Sequence, residues 1–139
     1  MYSLVLTSGK SEFEGYDNIK LSIFEAFNSR GARLIDTIWD FPWTASEVVD
    51  WLTENQNHLR TERMPACCDG LGESIYECIT QYYETTESDE NYTNDHAVWD
   101  YRTRHDLSID LGGVKKATTV YLGLFGEKHQ ISYLLADKS

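Results

Sequence analysis

Trp99-Asp100-Tyr101-Arg102-Thr103-Arg104-His105-Asp106-Leu107-Ser108-Ile109-Asp110-Leu111 alternates in character along its whole length. Trp99, Tyr101, Thr103, His105, Leu107, Ile109 and Leu111 fall on one side, and Asp100, Arg102, Arg104, Asp106, Ser108 and Asp110 on the other. A period of two is the pattern of a strand with one wet face. Read so, the C-terminal third is a three-stranded antiparallel meander. Gly112-Gly113 breaks the first strand, 118–125 and 129–135 follow, and Gly126-Glu127-Lys128 makes the hairpin connection. A helix across 97–105 is the competing reading.

Upstream, Tyr2 to Thr7 reads as a short apolar strand and Ser8 to Asn18 as a polar loop. Ile19, Leu21 and Ile23 alternate with Lys20 and Ser22, a half-buried strand that turns at Asn28-Ser29-Arg30-Gly31. A helix across 22–28 competes there, on the spacing of Ile23, Phe24 and Phe27. Leu34 to Phe41 returns, with Ile35, Thr37, Trp39 and Phe41 on one face and Leu34, Asp36, Ile38 and Asp40 on the other, and Pro42 ends it. Thr44-Ala45-Ser46-Glu47 matches a capping box. Val48, Leu52 and Leu59 then repeat at helical spacing to about His58 or Arg60, and Pro65 prevents continuation. Residues 73–84 fit either a helix, through Leu71, Ile75, Ile79 and Tyr82, or a strand; the spacing of Ile75 and Ile79 favours the helix. Thr85 to His96 reads as an acidic loop. The expected fold class is α+β: a mixed, mainly antiparallel sheet, made of the N-terminal strand and hairpin and the C-terminal meander, packed with one or two helices in a single domain over residues 1–139.

Charge is the second strong signal. The chain carries 23 acids against 12 Lys plus Arg, net −11. The segment from Met64 to Tyr101 has no Lys or Arg and nine acids, so it supplies −9 of that total. Tyr76, Tyr82, Tyr83, Tyr92 and Trp99 are interleaved with those acids. Such a charge speaks against nucleic acid and anionic membrane as partners, since both call for a basic footprint. It suits a basic protein, whose approach it would steer. The bland alternative is a solvated helix face and loop that only keep the protein in solution. No apolar run approaches the roughly 20 residues of a membrane helix, and the first residues lack the basic start of a signal peptide. A cytoplasmic protein is expected.

Catalytic signatures are missing from the sequence: no H-E-x-x-H, G-x-S-x-G, Walker A or dinucleotide-binding glycine pattern occurs. Cys67, Cys68 and Cys78 have neither zinc-ligand spacing nor an even count, and buried, unreactive thiols are the better reading. Asp89 to Asp100 loosely resembles a calcium loop, but Asn94 stands where a glycine is needed and Asp100 where a glutamate is. No cofactor and no metal are expected. His58, His96, His105 and His129 are the acid–base candidates; His105 or His129 with a nearby carboxylate is the alternative, enzymatic reading. A hydrogen-bonded core histidine is the plainer reading of His105. The partner-binding candidates are Tyr82, Tyr83, Glu84, Glu87, Asp89, Glu90, Tyr92 and Asp95, with the rings as rigid anchors and the carboxylates set to meet Lys and Arg.

In profile the chain resembles the immunity proteins of bacterial toxin systems, particularly contact-dependent growth inhibition: small, strongly acidic, aromatic-rich α+β and without a catalytic motif. The resemblance implies a non-enzymatic protein, a monomer or weak homodimer, that occludes the active site of one cognate basic toxin domain, a nuclease in many such systems. A phosphate-mimicking inhibitor of a nucleic-acid enzyme would share the same profile.

Overall fold

The computed structural model describes residues 2–26, 31–86, 92–109 and 118–134, with Tyr92 described by its backbone alone. The fold is α+β. Strands β1 (Tyr2–Lys10), β2 (Asp17–Ala26) and β3 (Ala32–Trp43) form an antiparallel sheet in that order. Ile19, Leu21 and Ile23 of the central strand are buried, as their alternation requires.

β3 departs from simple alternation because its register slips twice. Leu21 faces Trp39 while Ser22 faces Thr37, and Ile23 faces Asp36 while Phe24 faces Leu34. Ile38 and Ile35 are thus inserted residues, and each insertion reverses the side-chain phase. Ile38 and Trp39 are consequently both buried, and Leu34 and Ile35 both exposed. Pro42 does not end the strand, which runs on to Trp43. β3 lies at an edge of its sheet, where a missing N–H is tolerated.

Helix α1 (Ala45–Thr61) buries Val48 and Trp51 against this sheet. Its N-terminus is not a capping box: the Thr44 side chain makes no cap bond, and Glu47 accepts instead from Trp43 Nε1 at 2.8 Å. A one-turn 3-10 helix (Ala66–Cys68) leads to α2 (Ile75–Thr85), so the ambiguous segment is helical. Its true cap went unremarked in the sequence. Ser74 Oγ accepts from Glu77 N at 3.0 Å, and Glu77 reaches back to Glu73 N at 2.8 Å.

Over its described residues, 99–109, the alternating run quoted first is not a strand, and the competing helix takes its first half. Helix α3 spans Tyr92–His105, taking in the end of the expected acidic loop and most of the expected strand. Val98, Tyr101 and His105 are buried, at helical spacing, whereas Trp99 is half exposed. Of the first meander strand there remains, among the described residues, one bridge, Asp106 to Tyr121, with Leu107 N donating to Val120 O at 2.8 Å. Among the described residues the meander is therefore a two-stranded hairpin, β4 (Val120–Phe125) with β5 (Lys128–Tyr133), separate from the first sheet, and three α-helices replace the expected one or two. Gly126 makes its tight turn at a φ of 65°.

β4 divides the interior. Val120 and Leu122 face a core built from Ile19, Leu21, Trp39, Phe41, Val48 and Trp51. Tyr121, in opposite phase, faces a second core of Cys68, Ile75, Cys78, Ile79, Tyr82, Val98 and Tyr101. Truncating a buried aromatic such as Trp39 to alanine would cost about 3–5 kcal/mol.

Candidate functional site: the outer face of α2 and α3

α2 turns Ile75, Cys78, Ile79 and Tyr82 inward, which leaves Tyr83 and Glu84 outside. Its start is anchored by β5: Gln130 Oε1 accepts from Ile75 N at 2.8 Å and Ser132 Oγ from Tyr76 N at 2.9 Å. These side chains satisfy first-turn amides that a helix cannot satisfy itself. α3 packs alongside, joined where Tyr82 Oη donates to Asp95 Oδ1.

On the outer side, Arg102 lies between two rings. Its guanidinium carbon is 5.5 Å from the centre of the Tyr83 ring and 5.4 Å from that of Trp99. Both distances are within cation–π range. Tyr83 is 43% exposed and Trp99 50%, so both rings keep surface open to a partner while touching Arg102. Glu84 and Asp100 are exposed on the same two helices. A shallow depression of about 260 Å³ lies among Tyr76, Tyr83, Glu84, Arg102, Thr119 and Tyr121. Chemically, this is a pair of preset aromatic platforms with a cation between them and carboxylates close by in sequence.

The candidate residues are divided by the fold. Tyr83 and Glu84 are on the face. Tyr82 is buried at 2% exposure, so its expected role as a contact ring is corrected: it is core, because it follows Ile75 and Ile79 along the inner stripe of α2. Asp95 is half-buried and receives the Tyr82 hydroxyl. Glu87, Asp89 and Glu90 lie outside the described residues, as does the Tyr92 side chain. Trp99 and Arg102 were missed as site residues, since alternation put Trp99 inside. Helical phasing from Val98 and Tyr101 would have found them.

His105 belongs to a different constellation. His105 is fully buried at the end of α3. Its Nδ1 faces Leu122 O at 2.7 Å and its Nε2 faces Glu62 Oε1 at 2.7 Å, while the Tyr101 ring stacks on it at 3.9 Å. Arg104 grips Glu62 through Nε at 2.8 Å and Nη2 at 2.6 Å, a bidentate pair. Partial burial works to raise the Glu62 carboxyl, but hydrogen bonds from Arg104 and His105 outweigh it and hold the pKa below the ordinary glutamate value. Burial pushes the His105 imidazole down, against the opposite pull of the Leu122 carbonyl and Glu62. The cluster ties the ends of α1 and α3 to β4. Asp106 does not join it; its Oδ1 accepts from Ser108 N and Oγ instead.

Cys68 and Cys78 are buried, with burial pushing the Cys68 thiol up to about 12. Among the described residues, no group of three or more His, Cys, Asp or Glu is placed to hold a metal, and no helix is long and apolar enough to cross a membrane. No protein-family model, curated protein or solved structure compared with the chain matches it.

Proposed function

We propose that this chain is a binding protein whose α2–α3 face docks on a basic protein domain, and that its task is to occlude the active site of a cognate toxin, as its immunity-protein profile implies. The supporting observation is the half-exposed pair Tyr83 and Trp99, fixed on either side of Arg102. Rigid rings lose little entropy on binding and commonly carry about 2 kcal/mol or more each at the centre of an interface. The net charge of −11 supplies the long-range attraction, and the residues joining α2 to α3 add Glu87, Asp89 and Glu90 in sequence. The enzymatic alternative is less well supported: His105 is fully buried, and among the described residues the bond that His129 makes is with the Arg60 carbonyl, not with a carboxylate.

The test is protection. A candidate toxin domain is co-expressed with this chain in bacteria. The wild-type chain should restore growth, and Tyr83→Ala with Trp99→Ala should not, although it folds. Failure of the wild-type chain to protect would overturn the reading; full protection by the double variant would remove this face from it.

A further inference from the structure

A cleft of about 630 Å³ opens where the first sheet, the end of α1 and the β4–β5 hairpin meet. It shares no residue with the α2–α3 face. Ile23, Leu59, Leu122 and Ile131 supply apolar walls, and Tyr2 stands at the border with 59% of its surface in water. The volume is that of a small-molecule site, which spans about 300–1,000 Å³.

Among the described residues, one formally charged side chain lines this apolar space. Arg60 is exposed, and its guanidinium makes no hydrogen bond or ion pair among the described residues. Its backbone carbonyl is used, receiving His129 Nε2 at 3.1 Å, and this contact fixes the α1 end against β5. In a chain with nearly twice as many acids as bases, an arginine whose guanidinium has no partner among the described residues, beside an apolar cleft, is a complement for an anion. We propose that the cleft binds a small amphipathic carboxylate, with the apolar body against Leu59, Leu122 and Ile131 and the carboxylate on Arg60. The guanidinium fork suits a carboxylate's two oxygens.

Decanoate, kept below its aggregation threshold, is the probe, with decanol as its uncharged counterpart. Titration of the ¹⁵N-labelled full chain should shift amides around Ile23, Leu59, Leu122 and Ile131 in a saturable way. Because Arg60 is exposed, Arg60→Gln should weaken decanoate about fivefold and leave decanol unchanged. Ile131→Trp, which fills the cleft, should abolish both. Absence of saturable shifts, equal decanoate affinity in Arg60→Gln, or shifts spread over exposed residues such as Phe13 and Leu34 would each overturn the proposal.

Discussion

Replacing Gly123 with alanine should destabilise the protein through a collision at one point. A Cβ built on Gly123 would sit 2.8 Å from His105 Nδ1, 3.1 Å from Tyr101 Oη and 3.3 Å from His105 Cε1. Ordinary contacts start near 3.4 Å. Neither ring can move away easily. His105 is fixed by Leu122 O and Glu62, Tyr101 is stacked on it, and both are at most 1% exposed. Overpacking of this kind costs about 1–3 kcal/mol. Displacing the ring from Leu122 O would add about 1 kcal/mol. Alanine's better strand propensity returns about 0.5–1 kcal/mol. The balance is a loss of about 1–3.5 kcal/mol, which with a urea m-value of about 1.5–2 kcal/mol/M moves the midpoint down by about 0.5–2 M. Gly9→Ala is the control: nothing lies within 4 Å of its Cβ, and its midpoint should hardly move. Equal midpoints for Gly123→Ala and wild type would refute the packing of β4 on α3 described above.

Glu62→Gln should cost about 1–3 kcal/mol, as Arg104 and the buried His105 lose their anionic partner; the range is discounted for the partial exposure of Glu62. Both Glu62 and His105 have folded-state pKa values below their unfolded ones. Each contribution is therefore complete above the unfolded value and is lost as pH falls through the folded one. The melting temperature of wild type should drop from pH 7 to pH 4, and that of Glu62→Gln should drop less below pH 5; a rise on acidification would contradict the burial effect on His105. Tyr82→Phe should lose about 1–2 kcal/mol in chemical denaturation through its hydroxyl's bond to Asp95, yet leave partner affinity unaltered, because Tyr82 is core. A thiol reagent acting on the native protein should label Cys67 alone at an appreciable rate, as counted by mass spectrometry; labelling of Cys68 or Cys78 before unfolding would mean that the second core is open.

Where one physical signal dominated, the sequence could be read. Ile19, Leu21 and Ile23 in β2, and Ile75 and Ile79 in α2, keep a single period and are buried as that period requires. α3 was misread because its inward positions are mixed in chemistry. Val98 and Tyr101 share them with His105, whose polarity is answered by Leu122 and Glu62, while the hydrophobic Trp99 points outward over Arg102. Hydropathy along residues 99–111 therefore carried an accidental period of two. The bulges at Ile35 and Ile38 are set by pairing to β2, and no local pattern encodes them. The same holds for the link between Glu62 and His105, groups 43 residues apart in the chain. The α2–α3 face was half legible: composition marked its acids and tyrosines, but which rings face outward depended on the phase of α3.

The most direct measurement is the lifetime of the proposed complex between this chain and a candidate toxin domain, followed by surface plasmon resonance. Tyr83→Ala with Trp99→Ala should speed dissociation at least about 30-fold, corresponding to about 2 kcal/mol, with little change in association rate. Tyr2→Ala with Phe13→Ala, exposed rings away from α2 and α3, should leave the lifetime as it was. An unchanged lifetime in the first variant, or a loss confined to the second, would contradict the docking of this protein through α2 and α3.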